Sequence, residues 1–248
     1  EFDDAEDRHM FGDIYEGILK DLQSAGHAGE FYTPRALTDF IVEILDPKLG
    51  ETFGDFTSGT GGFLTSALNH MAKNIRSAED GEKYQNAVVG QEWKPLPYLL
   101  SITNLLLHDV EAPNIRNCDS LGTNVSDFKE SDKVDVIGMN PPYGGSTEES
   151  VKNNFPAQYR SSETADLFIA LIMYRLKAGG RAGVIKEFYE DEELYARQQV
   201  PEKNKKAVHR LMEIADVYFI TAVAPAFMGI RAKQILTAFP EFPPENII

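Results

Sequence analysis

The sequence has little cysteine and no long apolar segment. Cys118 is the one cysteine among 248 residues, which excludes an internal disulfide and fits a reducing cytoplasm. No run approaches the roughly 20 apolar residues of a membrane-spanning helix, and the acidic first residues lack the pattern of a signal peptide. We therefore expect a cytoplasmic protein that has no membrane partner.

Positive charge is also scarce. The chain has 24 Lys and Arg against 39 Asp and Glu, which gives a formal net charge of −15. Tight binding to a polyanion normally needs a basic surface, so a nucleic-acid substrate would require a partner, or basic residues gathered on one face. A solvated acidic surface that aids solubility explains the charge equally well. Because no His, Cys or acidic cluster has the spacing of metal ligands, we predict no metal site.

Hydrophobic periodicity predicts strands that alternate with helices. Such alternation favours a Rossmann-like α/β fold, an open and mostly parallel sheet with helices on both faces. Thr33 and Pro34 are expected to be the N-cap and first residue of a helix that stops at Asp46, and Gly179-Gly180 to cap another helix. The segment 77–86 is expected to be a polar loop. Helices are predicted at 8–22, 34–45, 63–75, 95–108 and 164–177, and strands at 51–56, 87–92, 114–118, 133–139, 181–185, 217–222 and 235–239.

A glycine-rich turn, Gly59-Thr60-Gly61-Gly62, follows the first of these strands. In open α/β sheets, ligands bind beyond the carboxyl ends of the strands, and glycines there allow the backbone to approach a ligand closely. A dinucleotide fingerprint would need a third glycine where Leu64 stands, and a phosphate-binding P-loop would need a Gly-Lys-Ser/Thr sequence. A simple tight turn between a strand and a helix is the alternative.

Two acidic residues near the turn indicate which kind of ligand it could bind. Asp55, four residues before Gly59, could meet an ammonium group, and Glu92 ends the next strand, where it could accept hydrogen bonds from two ribose hydroxyls. A ribose-bearing cofactor with an amino-acid tail, S-adenosylmethionine, fits this pattern. Trp93 could flank its adenine, or be a core or rim aromatic residue, and Asp119 could accept a hydrogen bond from the adenine amino group.

The tetrapeptide Asn140-Pro141-Pro142-Tyr143 follows the apolar, β-branched strand at 133–139. Both prolines lack an N–H and fix φ, so the segment can continue neither a helix nor a central strand. It would hold a carboxamide, a carbonyl and an aromatic face at the rim of the sheet, which suits a flat ring that bears an amino group. The alternative is a plain turn.

These motifs together resemble the amino-methylating DNA methyltransferases, particularly the methylation subunit of type I restriction-modification systems. The order, with Phe31-Tyr32-Thr33-Pro34 first, the glycine turn next and the tetrapeptide last, resembles the adenine-N6 class. The matching segments are Phe11-Gly12-Asp13-Ile14-Tyr15-Glu16, Gly29 to Pro34, Asp46-Pro47-Lys48, Gly59 to Leu64, Gly90-Gln91-Glu92, Asn104 to His108, Asn140 to Tyr143 and Gly179 to Val184.

The resemblance implies roles for the residues of both sites. Catalysis is expected from the tetrapeptide: a flipped target adenine stacks on Tyr143, while the Asn140 side-chain carbonyl and the Pro141 backbone carbonyl accept hydrogen bonds from its amino group. One departure from the family is the loop that leads into the glycine turn. Its sequence is usually Asp-Pro-Ala-Cys-Gly in the family, whereas here it is Asp55-Phe56-Thr57-Ser58-Gly59. Cofactor contacts are expected from Phe31, Tyr32, Thr33, Pro34, Asp55, Gly59, Thr60, Gly61, Gly62, Glu92, Trp93 and Asp119.

The resemblance therefore predicts a DNA adenine-N6 methyltransferase subunit that works on DNA with a specificity subunit and a second methylation subunit. The restriction subunit is a further candidate partner. A methyltransferase acting on another planar amide or amine, in protein glutamine or an RNA base, is one alternative, and a catalytically silent assembly module is another. We expect a helical segment at 1–28, a methyltransferase catalytic domain at 29–239 and a proline-rich tail at 240–248.

Overall fold

The described part of the chain forms a sheet of six parallel strands. The computed structural model describes Tyr15, Gly17, residues 33–142 and 146–185, and the backbone of 216–220. The strands lie in the order β3-β2-β1-β4-β5-β6, and every adjacent pair is parallel. Their bounds are Phe53–Asp55 (β1), Val88–Glu92 (β2), Ile115–Asn117 (β3), Val134–Met139 (β4), Leu176–Ile185 (β5) and Asp216–Ile220 (β6).

Helices join the strands and cover both faces of the sheet. One buried core cluster contains residues of α1, α2 and α4 with Phe53, Val88 and Val136, and the other contains α6 with Ile137, Met139 and Val184. Successive strand residues therefore enter opposite cores, which confirms the predicted doubly covered sheet. The helices are Arg35–Leu45 (α1), Gly62–Ala72 (α2), Ala78–Gln85 (α3), Pro95–Leu107 (α4), Glu149–Lys152 (α5) and Thr164–Arg175 (α6).

The strand order fixes where loops meet. The chain runs from β1 outward to β2 and β3, then returns to place β4 on the other side of β1. The loops after β1 and β4 therefore leave the same edge of the sheet in opposite directions. The crevice between two such loops is where open α/β sheets bind ligands.

The predicted loop at 77–86 is wrong, because the segment contains α3. Ser77 caps this helix: its Oγ accepts a hydrogen bond from the Asp80 N–H at 3.1 Å, and Asp80 Oδ2 accepts the Arg76 N–H at 3.0 Å. Tyr84 is the one buried residue of the helix, and its hydroxyl donates to the His108 carbonyl at 2.8 Å. A single apolar anchor gives no periodicity, so only the cap could have revealed the helix.

The predicted glycine cap of α6 is also wrong. The helix ends at Arg175, and Leu176 already pairs with Val134 of β4. The next paired residue of β5 is Arg181, opposite Val136, so residues 177–180 bulge out of the ladder. Gly179 has a φ of 74°, and the glycines therefore serve a bulge inside β5 rather than a helix end.

The start of α1 lies one residue later than predicted. Pro34, not Thr33, is the N-cap residue, and its carbonyl accepts hydrogen bonds from the N–H groups of Leu37 at 2.9 Å and Thr38 at 3.2 Å. The helix stops where predicted: Leu45 is its last residue, and Asp46, the C-cap residue, has a left-handed φ of 46°.

Several predictions concern the ends of the chain. Tyr15 and Gly17 are helical, as predicted for 8–22, and the Tyr15 hydroxyl donates to the Leu100 carbonyl at 2.6 Å. The predicted strand at 217–222 is confirmed as β6. The predicted strand at 235–239 and the tail at 240–248 lie outside the described residues. No helix in the described part of the chain is long and apolar enough to cross a membrane.

We predict that Gly138→Ala destabilises the protein. A Cβ at Gly138 would lie 2.5 Å from Phe53 Cζ and 2.9 Å from Phe63 Cδ1, so both buried rings would have to shift. We expect the free energy of unfolding in urea to fall by about 1–3 kcal/mol.

Gly81→Ala is the matched control. Gly81 is also within a regular element, in α3, but a Cβ there meets nothing within 4 Å. Because alanine favours helices over glycine, this change should raise stability by up to about 1 kcal/mol. Equal effects of the two substitutions would contradict the close-contact explanation.

Candidate cofactor and amine site

The glycine turn lies between β1 and α2, and its shape needs glycine at two positions. Gly59 and Gly61 have left-handed φ values of 52° and 82°, a region that costs other residues free energy. The Gly61 N–H donates to the Ser58 carbonyl at 2.7 Å, and the Ser58 N–H donates to the Gln91 carbonyl at 3.0 Å. The turn is therefore closed on itself and fastened to the end of β2.

Asp55 ends β1 beneath this turn, where it is buried. Its Oδ1 accepts hydrogen bonds from the Thr57 N–H at 2.9 Å and the Thr57 hydroxyl at 3.3 Å. Burial raises the pKa of Asp55 to about 7, and the nearby charge of Glu92 adds to the rise, while the two Thr57 hydrogen bonds oppose it. A cationic group beside this carboxyl would favour its ionised form.

Glu92 ends β2 and connects it to the turn. Its Oε2 accepts the Gly59 N–H at 2.8 Å, and its Oε1 accepts the Lys94 N–H at 2.8 Å. Burial raises the pKa of Glu92, although these backbone hydrogen bonds partly offset it. Each carboxylate oxygen keeps a further lone pair, which suits a ligand that offers two hydroxyl groups.

Ser58 is a site residue that sequence reasoning did not select. Its Oγ is buried and has no hydrogen-bond partner among the described residues, which is costly unless something else supplies one. Thr60, beside it, is also buried, and its carbonyl accepts the Asn104 Nδ2–H at 3.0 Å. The buried, unsatisfied Ser58 hydroxyl and the two nearby carboxyl groups could together hold a polar, cationic ligand.

Trp93 and Asp119 lie at the outer side of this edge of the sheet. Trp93 is 69% exposed, so the reading of it as a core residue is wrong. Asn117 holds the strand ends together, because its Nδ2 donates to the Glu92 carbonyl at 2.8 Å and the Trp93 carbonyl at 3.0 Å. Asp119 is exposed, and its Oδ1 accepts the Leu121 N–H at 2.9 Å. Both side chains stand on the edge that carries Glu92.

A buried arginine supports the turn from below. The Arg175 guanidinium lies 3.9 Å from the ring centroid of Phe56 and 4.7 Å from that of Phe128. Its Nη1 donates to Gln91 Oε1 at 3.1 Å, and its Nε donates to the Asp132 carbonyl at 2.9 Å. Burial lowers the pKa of Arg175 to about 10. The only sequence signal was an arginine that ends an otherwise apolar helix.

Asn140 follows β4 and faces the start of α1. Its Nδ2 donates to Thr33 Oγ1 at 3.3 Å, so the Thr-Pro segment and the tetrapeptide meet although 107 positions separate them. Pro141 is buried and Pro142 is exposed. Pro34 is exposed beside Thr33. Phe31, Tyr32 and Tyr143 lie outside the described residues.

The described residues thus bring the predicted amine-binding and cofactor-binding segments to one edge. Gly62 opens α2, and a Cβ built on it would lie 3.7 Å from the Thr33 carbonyl oxygen. Thr33 therefore stands between the glycine turn and Asn140. Within the described ranges, no group of three His, Cys, Asp or Glu side chains could hold a metal ion.

The family model for N-6 DNA methylases matches residues 6–234. The chain belongs to the N-6 DNA methylase family. Over 187 residues it is 50% identical to the methylase subunit of the type I restriction enzyme EcoEI from Escherichia coli, a match that covers 75% of this chain and 38% of that relative.

Solved structures agree with this membership. A modification subunit of a proposed type I restriction enzyme from Vibrio vulnificus YJ016 is 43% identical, with a TM-score of 0.67, over 73% of this chain and 38% of that one. This N-6 DNA methylase also resembles a proposed class I S-adenosylmethionine-dependent methyltransferase from Listeria monocytogenes, with a TM-score of 0.57. The match covers 97% of this chain and 79% of the other, and because the two sequences are only 14% identical it shows a shared fold alone. The match covers only 38% of the length of each of the two type I relatives named here.

We predict that Asp55 makes the stability of this methylase pH-dependent. Its pKa is about 7 in the folded chain and about 3.8 when exposed, so the folded state keeps a proton that the unfolded state has released. This contribution is fully present below about pH 4 and is lost as the pH rises to about 7. In urea unfolding, Asp55→Asn should lose less stability than the wild type between about pH 5 and pH 7.5.

Asp55→Asn is a fair comparison because its amide oxygen can still accept both Thr57 hydrogen bonds. Asp127→Asn, which changes an exposed carboxyl group, should keep the wild-type pH dependence. If Asp55→Asn retained that dependence as well, the assignment to the buried carboxyl would be wrong.

Proposed function

We propose that this chain is the catalytic part of a type I restriction-modification methylation subunit, which transfers a methyl group from S-adenosylmethionine to the N6 amine of a flipped adenine in DNA. The observation that carries this proposal is the meeting of Asn140-Pro141 with the Gly59–Gly62 turn through Thr33. We include residues 29–239 in the catalytic domain and assign the protein to the cytoplasm, where its DNA lies.

The cofactor is assigned to the edge formed by β1, β2 and β3. Asp55 would take the ammonium group of its methionine part, and the Ser58 hydroxyl would gain a polar partner in the same pocket. Glu92 would accept from the ribose hydroxyls while Gly59 and Lys94 hold its carboxylate. Trp93 and Asp119 would face the adenine. When bound, S-adenosylmethionine supplies an electrophilic methyl group.

The target amine is assigned to Asn140 and Pro141. Asn140 contacts Thr33 through its Nδ2 at 3.3 Å, and the Asn140 side-chain carbonyl would accept an N–H from adenine. Pro141 and Pro142 have no N–H groups, so their loop offers the amine acceptors rather than competing donors. Two accepted hydrogen bonds raise electron density on a nitrogen that is otherwise conjugated into the ring, and catalysis rests on positioning and electrostatics. Tyr143 would stack on the flipped base.

The negative net charge of the chain indicates that other subunits supply most of the DNA binding. With a net charge of −15, this polypeptide lacks the basic excess that unaided DNA binding needs. We therefore propose that a specificity subunit, a second methylation subunit and, in the complete system, a restriction subunit act with it. The type I relatives, which are named as subunits of restriction enzymes, support this division of labour.

Calorimetric titration with S-adenosylmethionine tests the cofactor assignment. We expect the chain to bind it, because the proposed site combines two carboxyl groups with an unsatisfied hydroxyl. A well-folded chain that does not bind would contradict the proposal in all its enzymatic forms and favour a silent assembly module.

A transfer assay tests the substrate. We expect labelled methyl groups to enter duplex DNA when a cognate specificity subunit is present, and Asn140→Ala to lower the transfer rate at least about 100-fold while it retains cofactor binding. Asn114→Ala, which changes an exposed asparagine before β3, should transfer at the wild-type rate. Transfer to protein glutamine or RNA but not DNA would instead support a methyltransferase for another planar amide or amine.

A further inference from the structure

The three acidic residues assigned to the cofactor lie at the ends of three neighbouring strands. Asp55 ends β1, Glu92 ends β2 and Asp119 follows β3. A ligand that spans all three needs them at fixed places relative to one another, because each carboxyl group would bind a different part of it. The paired positions of the sheet end at Asp55 on β1 and at Asn117 on β3. Beyond these positions, side-chain contacts can decide where the loops lie.

Arg175 contacts the direct neighbours of two of these acidic residues. Its guanidinium lies 3.9 Å from the ring centroid of Phe56, the residue after Asp55. Its Nη1 donates to Oε1 of Gln91, the residue before Glu92, at 3.1 Å. The guanidinium therefore connects the chain beside the β1 carboxyl group to the chain beside the β2 carboxyl group.

The guanidinium also orients the Gln91 carboxamide. A guanidinium group donates hydrogen bonds and accepts none, so the end of the carboxamide that faces Arg175 is Oε1. The donor end, Nε2, then reaches Cys118 Sγ at 3.3 Å. Cys118 directly precedes Asp119, so the contacts that begin at Arg175 extend to the chain beside the third carboxyl group.

Two further contacts anchor Arg175 to the connection that leads into β4. Its Nε donates to the Asp132 carbonyl at 2.9 Å, and its guanidinium lies 4.7 Å from the ring centroid of Phe128. The side chain is only 3% exposed, and both of its acceptors, the Asp132 carbonyl and Gln91 Oε1, are uncharged. Planar stacking and directed hydrogen bonds therefore hold it, which a guanidinium provides and an ammonium group does not.

We propose that Arg175 is a positioning residue for the cofactor, which sets the relative places of the three carboxyl groups through Phe56 and Gln91. This inference rests on the proposed function and deepens it. It gives a role in cofactor binding to a buried cation that touches none of the residues assigned to the cofactor. The opposing explanation is that Arg175 contributes to the stability of the core alone.

Arg175→Lys and Phe128→Leu test this inference. Lysine keeps the charge but has no plane to stack between two rings. Phe128→Leu removes one of the stacked rings and leaves every assigned cofactor residue in place, so it serves as the second test if Arg175→Lys does not fold. Phe155→Leu is the matched control, because Phe155 is buried in the same core cluster and is not one of the rings stacked on Arg175.

Hydrogen exchange in the cofactor-free chain measures how firmly the turn is held. The Ser58 N–H donates to the Gln91 carbonyl and the Gly59 N–H to Glu92 Oε2. Rates are divided by that of the buried Ile137 amide, so that a general loss of stability cancels. We expect both turn amides to exchange at least about 10-fold faster in the two test variants and within about 2-fold of the wild type in the control. Wild-type exchange in the test variants, or equal acceleration in the control, would overturn the inference.

Cofactor binding provides the second readout. Trp93, the one tryptophan of the chain, lies at this edge and reports binding by its fluorescence. We expect the Kd for S-adenosylmethionine to rise about 10-fold in the test variants and to stay within about 2-fold of the wild type in the control. In the complex with the specificity subunit and at saturating cofactor, the transfer rate of the test variants should stay within about 3-fold of the wild type.

Two results of these binding and transfer measurements would contradict the role of Arg175. They are a wild-type Kd in both test variants, and a loss that appears in the transfer rate but not in the Kd. A wild-type chain that binds no S-adenosylmethionine would instead overturn the proposed function. The exchange rates of the turn amides would still decide whether Arg175 holds the turn, because they are measured without cofactor.

Discussion

The stacked guanidinium of Arg175 is the interaction on which the edge of the sheet depends. A buried charge is costly unless hydrogen bonds and favourable contacts replace its water. Here the rings of Phe56 and Phe128 supply two faces, and Gln91 and the Asp132 carbonyl supply acceptors. These partners belong to the loop after β1, to β2 and to the loop before β4. The Arg175 side chain therefore holds these three segments in position relative to one another.

The contacts of Arg175 explain how the unusual loop after β1 keeps its shape. The resemblance predicts proline after the β1 aspartate, and Phe56 stands there instead. Proline would stiffen the loop through its own ring, whereas Phe56 is held by contact with Arg175, and Ser120 Oγ donates to the Phe56 carbonyl at 2.6 Å. Asp55 and the glycine turn can therefore keep their positions although the local rigidity has moved from the backbone to a side chain.

Local patterns predicted much of the fold, whereas long-range contacts could not be read from them. Alternating apolar runs predicted the sheet because each strand enters two cores, and Asp55, Glu92 and Asn140 were expected at strand ends because they follow such runs. Helix α3 was missed because Tyr84 alone anchors it. The roles of Ser58 and Arg175 depend on which atoms meet after folding. The Asn140–Thr33 hydrogen bond joins segments 107 positions apart, so no window of sequence contains both partners.

The carboxyl groups at this edge of the sheet favour a cationic cofactor and disfavour DNA phosphates. Burial raises the pKa of both Asp55 and Glu92, and the charge of Glu92 adds to the rise at Asp55. A cationic cofactor would lower the cost of ionising both groups, while DNA phosphates near the same carboxylates would increase it. If the proposed function holds, the base must therefore reach Asn140 as a single flipped nucleotide, with its backbone held by positive charge from another chain. The acidic composition is then compatible with a DNA-modifying enzyme, because this chain has to grip the cofactor and the base rather than the duplex.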